Sequence, residues 1–193
     1  MILNKQFLNE QFSKHNAYEF VSYRSDKTKS AYDIFISYSW NDRLYANKIV
    51  QLLKNCGYSV YVDFDDYGLN NNHIASQETA KHLLNEMNKC KCLLYLHSKN
   101  SSLSKWCPWE VGVFSGIKDF KCANLPLTEN CDENFKNQEY LDIYPYIEYE
   151  KTPITGKYDF WVCESETKYI NLRSWVDGSK PYEHSYNLKG VYL

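Results

Sequence analysis

The feature that most constrains the fold is an alternation of short apolar runs with helical patterns. Residues 32–38, 58–64 and 91–96 are nearly continuous apolar runs, which are typical of strands covered on both faces. Between them, residues 44–53 and 74–87 repeat apolar side chains near helical spacing. Strands that alternate with helices in this way predict an α/β fold, with a parallel sheet, right-handed crossovers and helices on both faces.

Capping signals delimit the first of these helices. Asn41 and Asp42 precede it, and both residue types are favoured at a helix N-cap. Residues 55–57, Asn-Cys-Gly, supply a glycine stop at its other end. We therefore expect Asp42 to be a helix cap, with direct contact to a ligand as the less favoured alternative.

Further elements are predicted in the second half of the chain. A fourth strand is expected over residues 120–127, a fifth over residues 158–163 and a last helix over residues 166–175. Residues 139–147 suggest a helical turn that leads into an extended segment. The count predicts a central sheet of about five parallel strands.

The chain length favours one domain. Its 193 residues can enclose one real core and are too few for two comfortable domains. We expect this domain over residues 31–175. Residues 1–30 end in a charged stretch and predict an appended helix with a linker, and residues 176–193 are expected to form a tail.

The charge balance disfavours two classes of partner. The 22 Lys and Arg residues against 24 Asp and Glu give a formal net charge of -2, without a basic block. Neither nucleic acid nor an anionic membrane is therefore the expected partner. No apolar run approaches the roughly 20 residues that span a bilayer, and the first residues lack a signal-peptide core, so a cytoplasmic location is expected.

The seven cysteines are odd in number and lie mostly in apolar runs, which is typical of reduced core residues. Cys90 and Cys92, followed by His97, lack the turn spacing of a zinc site, and no metal is expected. The 18 tyrosines could form a stacking surface, an assembly interface or simply part of the core, and these alternatives stay open.

The densest chemical motif is Ser-Lys-Trp-Cys-Pro-Trp-Glu over residues 104–110. Proline is favoured in the first turn of a helix, so a short buried helix is expected to follow, with Glu110 in its first turn and Trp106 in the preceding loop. The positive end of the helix dipole would keep the Glu110 carboxylate ionised unless burial outweighs it. Such a carboxylate suits contact with a cation.

Three loops follow the first three predicted strands, over residues 37–42, 63–72 and 98–110. In a parallel sheet, ligands gather beyond the carboxyl ends of the strands. We therefore expect the candidate residues of these three loops to share one rim.

Together these motifs resemble the Toll/interleukin-1 receptor (TIR) domain over about residues 31–175, in particular the stand-alone bacterial type found in Thoeris-like defence. The resemblance rests on residues 32–38 with Asn41 and Asp42, on residues 57–63, and on residues 98–110 with Gly112. It implies a flavodoxin-like fold. TIR domains are either adaptors that only assemble or enzymes that cleave NAD+ at the nicotinamide–ribose bond.

In the TIR enzymes the essential residue is a glutamate four positions after a tryptophan, beyond the third strand. Trp106 and Glu110 match this placement, so the resemblance makes Glu110 the catalytic residue. It also implies aromatic residues that stack on nicotinamide or adenine and polar residues that contact ribose or phosphate. The substrate-binding residues expected on this basis are Tyr38, Ser39, Trp40, Asn41, Arg43, Asp63, Phe64 and Trp106.

The chemistry agrees with a single carboxylate. Nicotinamide in NAD+ is already a cationic leaving group, so no general acid is needed to protonate it. Positive charge then develops on the ribose, and a nearby carboxylate stabilises that state more than the ground state. Residues 65–72 correspond by resemblance to the mobile loop of TIR domains, but they lack the frequent proline-glycine turn.

The resemblance thus implies an NAD+ glycohydrolase or ADP-ribosyl cyclase in antiphage defence, acting as a homo-oligomer through TIR–TIR contacts. Its product would be a signal for a separate effector, or its effect would be NAD+ depletion, and no cofactor beyond the substrate is expected. The alternatives are a non-catalytic assembly module and a nucleoside deoxyribosyltransferase-like enzyme. Cys107 with His97 or His73 as base is a further alternative, but a buried structural thiol is favoured.

Overall fold

The computed structural model describes residues 1–13, 29–62, 76–131, 141–152 and 155–188. The strands in these ranges are β1 (Leu3–Asn4), β2 (Tyr32–Ser37), β3 (Val60–Tyr61), β4 (Cys90–His97), β5 (Cys122–Thr128), β6 (Tyr146–Lys151), β7 (Tyr158–Cys163), β8 (Lys168–Asn171) and β9 (Tyr182–Glu183). The helices are α1 (Lys5–Ser13), α2 (Arg43–Asn55), α3 (Gln77–Asn88), α4 (Trp106–Ile117) and α5 (Leu172–Val176). Short 3₁₀ turns cover Trp40–Asp42 and Ser101–Leu103.

The strands form one sheet in the order β3-β2-β4-β5-β6-β7-β8-β9. All pairs from β3 to β6 are parallel, and those from β6 to β9 are antiparallel. The chain leaves β2 toward β3 on one side and returns to β4 on the other, which creates the strand-order reversal of flavodoxin-like sheets. The predicted α/β class, with a central parallel sheet and helices on both faces, is confirmed.

The second half of the sheet differs from the prediction. The fifth parallel strand is β6, and the predicted fifth strand is its antiparallel partner β7. The helix predicted over residues 166–175 is wrong in its first half, where β8 lies, and α5 begins only at Leu172. Asn171 determines this start, because its side chain accepts the Arg173 N–H at 2.9 Å as an N-cap.

Alternation along the central strands divides the core into two layers. Ile34 and Ile36 of β2 and Leu94 of β4 pack on the face covered by α1, α2 and α5. Phe35 of β2 and Tyr95 of β4 pack on the opposite face, under α3 and α4. Because successive side chains of a strand point to opposite faces, continuous apolar runs are what a sheet covered on both sides requires.

The first residues of the chain belong to this core. β1 pairs in parallel with β5, with Leu3 opposite Leu127, and the N–H of Tyr149 in β6 bonds the Met1 carbonyl at 3.0 Å. Leu3 and Leu8 are fully buried. This segment therefore lies beside β5 and β6, whereas the division of the chain at residues 30 and 175 remains a prediction.

The end of α2 uses the predicted glycine. Gly57 has φ 85°, its N–H bonds the Lys54 carbonyl at 2.9 Å, and the N–H of Tyr58 bonds the Leu53 carbonyl at 3.1 Å. This is the Schellman arrangement, which favours glycine because a Cβ is strained at positive φ.

Within the described ranges, no helix is long and apolar enough to cross a membrane.

Candidate active site

A cavity of about 290 Å³ opens at the carboxyl ends of β2 and β4, beside the strand-order reversal. Its walls come from the end of β2, the turn that follows it, the loop after β4 and the start of α4. The lining residues are Phe35, Ile36, Tyr38, Ser39, Trp40, Asn41, Asn100, Leu103, Ser104, Lys105, Trp106 and Glu110. The first and third predicted loops therefore share one rim, as expected for a sheet of this kind.

Trp106 and Glu110 reach the cavity from the same face of α4. The helix begins at Trp106, so the expectation that Trp106 lies in the loop and Glu110 in the first turn is wrong. Pro108 is accommodated at the third helical position, because the N–H groups of the first turn have no partner within the helix. Residues four apart on a helix are neighbours, so Trp106 and Glu110 lie together, but Glu110 is beyond the turn where the helix dipole acts most strongly.

Ser37 holds the Glu110 side chain. Its Oγ donates a hydrogen bond to Glu110 Oε2 at 2.5 Å, which joins the end of β2 to α4. Ser37 is 1% exposed, whereas Glu110 is only partly buried and lines the cavity. A buried hydroxyl thus sets the orientation of a carboxylate that a ligand can reach. The prediction missed Ser37, although its place one residue beyond Ile36 puts it on the α4 side of the sheet.

Cys107 is buried next to this pair. Burial, and secondly the nearby Glu110 carboxylate, raise the pKa of the Cys107 thiol to about 12. A thiol in this state is protonated at neutral pH and is a poor nucleophile. Neither Cys107 nor His97 lines the cavity, and His73 lies outside the described residues. The geometry therefore favours the structural thiol over the nucleophile.

Asp42 joins the two loops that form the cavity walls. It is fully buried, and its carboxylate accepts hydrogen bonds from Ser98 Oγ at 2.5 Å and from Asn100 Nδ2 at 2.7 Å. Asp42 is the N-cap residue of α2, as expected, but its side chain makes no capping hydrogen bond there. The carboxylate is directed across to the loop after β4 instead, and so supports Asn100 in the cavity wall.

A chain of buried hydroxyls continues from Asp42 into the loop after β4. Ser98 Oγ accepts the N–H groups of Asn100 and Ser101, at 3.1 and 3.0 Å. Ser101 Oγ accepts the Ser98 N–H at 2.8 Å and the Tyr95 hydroxyl at 3.1 Å. Because the network is buried and its members bond one another, it fixes this wall of the cavity before any ligand arrives.

The predicted substrate-binding residues do not all meet at the cavity. Those that line it are Tyr38, Ser39, Trp40, Asn41 and Trp106. Arg43 is not among the lining residues, and its guanidinium lies 5.0 Å from the centre of the Trp40 ring. Asp63, Phe64 and the loop over residues 65–72 lie outside the described residues.

Metal binding gains no support from the described part of the chain, which holds no group of three or more His, Cys, Asp or Glu side chains that could bind an ion. Burial raises the pKa of the Cys92 thiol well above its ordinary value, and nearby Cys90 and Cys122 add to the shift. These thiols pack in the core as small apolar side chains.

Comparison with known proteins gives three findings. A family model described as the TIR domain matches residues 34–152. The probable 3′ cyclic ADP-D-ribose synthase ThsB′ of Bacillus cereus strain MSX-D12 is 37% identical over 188 residues, which cover 91% of this chain and 94% of that protein. The TIR domain of the Toll-related receptor TRR-2 from Hydra magnipapillata matches with a TM-score of 0.44 and 17% identity, over 60% of this chain and 82% of that chain.

Proposed function

Since the chain belongs to the TIR domain family, we propose that it is an enzyme that cleaves the nicotinamide–ribose bond of NAD+, with Glu110 as the catalytic carboxylate. The observation that carries the proposal is the position of Glu110, which is the one carboxylate among the described cavity-lining residues. The bacterial relative is called a probable 3′ cyclic ADP-D-ribose synthase, and this class of activity is the one we extend to the chain.

The geometry supports a short mechanism. When the glycosidic bond breaks, its electron pair leaves with nicotinamide, which becomes neutral, and positive charge develops on the ribose. The Glu110 carboxylate stabilises that charge, and the Ser37 hydroxyl keeps the carboxylate in place so that little reorganisation is needed during the reaction. Trp40 and Trp106, which both line the cavity, provide flat surfaces for stacking of a planar ring.

The product depends on which nucleophile reaches the anomeric carbon. Water would give ADP-ribose, whereas a hydroxyl elsewhere on the same molecule would give a cyclic product and release its proton. Six of the twelve described lining residues are aromatic or apolar, and a substrate packed against them leaves less room for water at the anomeric carbon, which favours the second route. We propose a cyclic ADP-ribose product that serves as a signal for a separate effector in antiphage defence.

The test compares the wild-type protein with Glu110→Gln, which keeps the side-chain size and removes the charge. With NAD+ as substrate, we expect Glu110→Gln to lower nicotinamide release about 100- to 1000-fold, because the charge-stabilising group is lost. Mass analysis of the product distinguishes ADP-ribose from a cyclic isomer. Glu78→Gln is the matched control, since Glu78 is exposed on α3 and does not line the cavity.

Equal activity of Glu110→Gln and wild type would remove Glu110 from the mechanism. Turnover of deoxynucleosides instead of NAD+ would favour a deoxyribosyltransferase-like enzyme. If the wild type is inactive on both, also after addition of lysate from phage-infected cells, the enzyme proposal fails.

The second candidate is an assembly module that acts through contacts between TIR domains. It is favoured by exposed apolar side chains. Leu103, which is 83% exposed, and Trp40 line the cavity, and Leu44 of α2 is exposed as well. An assembly module would keep its partner binding in Glu110→Gln, whereas the enzyme would lose its activity.

A further inference from the structure

The cavity contains two opposite charges. Among its described lining residues, Glu110 is the one acid and Lys105 the one base, and the others are aromatic, apolar or neutral polar residues. The Lys105 side chain is exposed and forms no ion pair or hydrogen bond within the described ranges. Its ammonium group is therefore available to a ligand, although a carboxylate lines the same cavity.

The position of Lys105 is unfavourable for the helix that follows it. Lys105 is the N-cap residue of α4, and its side chain makes no capping hydrogen bond. Positive side chains are disfavoured at the positive end of a helix, and Ser, Thr, Asp or Asn would serve better as a cap. A lysine here gains nothing from the helix, so a role toward a ligand accounts for it better than local stability does.

The other candidate cation of the site lies outside the cavity lining. Arg43 was expected to contact phosphate, but it does not line the cavity, and its guanidinium lies over the Trp40 ring in a cation–π contact. Lys99 belongs to the same loop as Lys105 and is not a lining residue. The one positive charge that the described walls present to a bound ligand is thus that of Lys105.

We infer that Lys105 binds the phosphate groups of the substrate and, together with Glu110, determines the direction in which the substrate lies in the cavity. This inference rests on the proposed function. NAD+ carries a cationic ring on one side of the nicotinamide ribose and a pyrophosphate on the other. With the anomeric carbon at Glu110, the pyrophosphate extends toward Lys105.

The spacing of the two charges agrees with this orientation. Glu110 lies five positions after Lys105, the N-cap residue of α4, which corresponds to a rise of roughly 7.5 Å along the helix axis, and the flexible lysine stem adds further reach. A reversed substrate would place phosphates near Glu110 and a cationic ring near Lys105, and both contacts are repulsive. Specificity of this kind comes as much from the repulsion of the wrong arrangement as from attraction of the right one.

The test replaces Lys105 by Gln and by Arg and compares NAD+ with nicotinamide riboside, which has no phosphate. We expect Lys105→Gln to raise the KM for NAD+ about tenfold with kcat within about twofold, because a charge-assisted contact is lost. Lys105→Arg should restore most of the affinity. Cleavage of nicotinamide riboside should be the same in all three proteins, and the melting temperature of Lys105→Gln should not fall.

Salt and a matched variant provide controls. The KM of the wild type should rise with ionic strength, whereas that of Lys105→Gln should respond less, because screening acts on the charge that was removed. Lys81→Gln alters an exposed lysine of α3 outside the cavity and should leave the KM unchanged.

Calorimetric binding of NAD+ to Glu110→Gln protein, with and without Lys105→Gln, separates this inference from the proposed function. Weaker binding in the double variant supports the role of Lys105 even if no protein turns NAD+ over. Wild-type turnover with an unchanged KM in Lys105→Gln overturns the inference and leaves the function intact. An equal loss on nicotinamide riboside, or no binding of NAD+ to Glu110→Gln protein, also overturns it.

Discussion

The two ends of the sheet use charged side chains in opposite ways. At the amino end of the central strands, Asp33 bonds Lys91 and Arg173, both at 3.2 Å, and Lys91 bonds Asp177 at 3.1 Å. At the carboxyl end, Glu110 and Lys105 line one cavity without forming an ion pair with each other. Charges at the amino end pair with one another and hold α5 against the sheet, whereas Glu110 and Lys105 line a cavity that a ligand can enter.

The comparison predicts that substitutions at the two ends separate activity from stability. The largest effect is expected for Glu110→Gln, which should lose most activity while its melting temperature stays within a few degrees of wild type. The measurement is nicotinamide release beside thermal unfolding. A large loss of stability in Glu110→Gln would show that Glu110 at the carboxyl end also stabilises the fold, and the proposed difference between the two ends would then be wrong.

Asp42 tests whether the cavity wall depends on its buried carboxylate. Asp42→Ala would leave the buried donors of Ser98 and Asn100 without their acceptor, and we expect it to lower the free energy of unfolding by about 2–3 kcal/mol. Denaturant unfolding measures this change. Asp42→Asn keeps an acceptor oxygen and should lose less, so equal losses in the two variants would contradict the role given to the hydrogen bonds.

Ser37 tests whether the orientation of Glu110 matters for catalysis. Ser37→Ala removes the hydroxyl that bonds Glu110 Oε2, and we expect kcat for NAD+ to fall about tenfold with little change in KM. Ser115→Ala is the control, because Ser115 is a buried serine of α4 that bonds Tyr144 and does not line the cavity. Equal loss of kcat in both variants would indicate a general packing effect.

The amino end should show the smallest effect, on stability and its pH dependence. Burial alone would raise the pKa of Asp33, but hydrogen bonds from Ser59, Lys91 and Arg173 outweigh it and hold the pKa below its ordinary value. The pKa of Asp33 is thus lower in the folded protein than in the unfolded chain. The stabilisation that ionised Asp33 provides is therefore present above the pKa of the unfolded state, and it is lost as the pH falls through the pKa of the folded state. We expect unfolding free energy to fall below about pH 4, and less steeply in Asp33→Asn.

This expectation is tested by thermal or denaturant unfolding of both proteins over a series of pH values from neutral to acidic. NAD+ cleavage at neutral pH is the second measurement. Asp33→Asn should keep wild-type kcat and KM, since Asp33 lies at the end of the sheet away from the cavity. An identical acid response in wild type and Asp33→Asn would exclude Asp33 as a source of the pH dependence.

Much of the first half of the fold could be predicted because its signals are local. The apolar run of β2, the glycine that ends α2 and the boundaries of β4 follow from periodicity and turn chemistry over a few residues. In the second half, β6 alternates apolar and charged residues, whereas β7 is the more continuous apolar run that was predicted as the fifth strand. Strand direction depends on which partner each strand finds, so the sequence did not reveal which one continues the parallel sheet.

The candidate site divides in the same way. The four-residue spacing of Trp106 and Glu110 is a helical repeat, and any helix through this segment brings the two side chains to one face. The hydrogen bond from Ser37 to Glu110 joins residues 73 positions apart, and that from Ser98 to Asp42 joins residues 56 apart. Neither hydrogen bond could be predicted from the local pattern of apolar and polar residues.

The sequence by itself determined the alternation of strands and helices and the pairing of Trp106 with Glu110, because both depend on spacing along one element. Tertiary structure alone decided that the Asp42 carboxylate accepts hydrogen bonds from Ser98 and Asn100 instead of from the first turn of α2. It also decided that Glu110 and Lys105 share one cavity with Tyr38 and Trp40. These outcomes depend on where β2 and β4 meet in the sheet. Side chains distant in sequence become neighbours only when the backbone hydrogen bonds of the sheet bring their strands together.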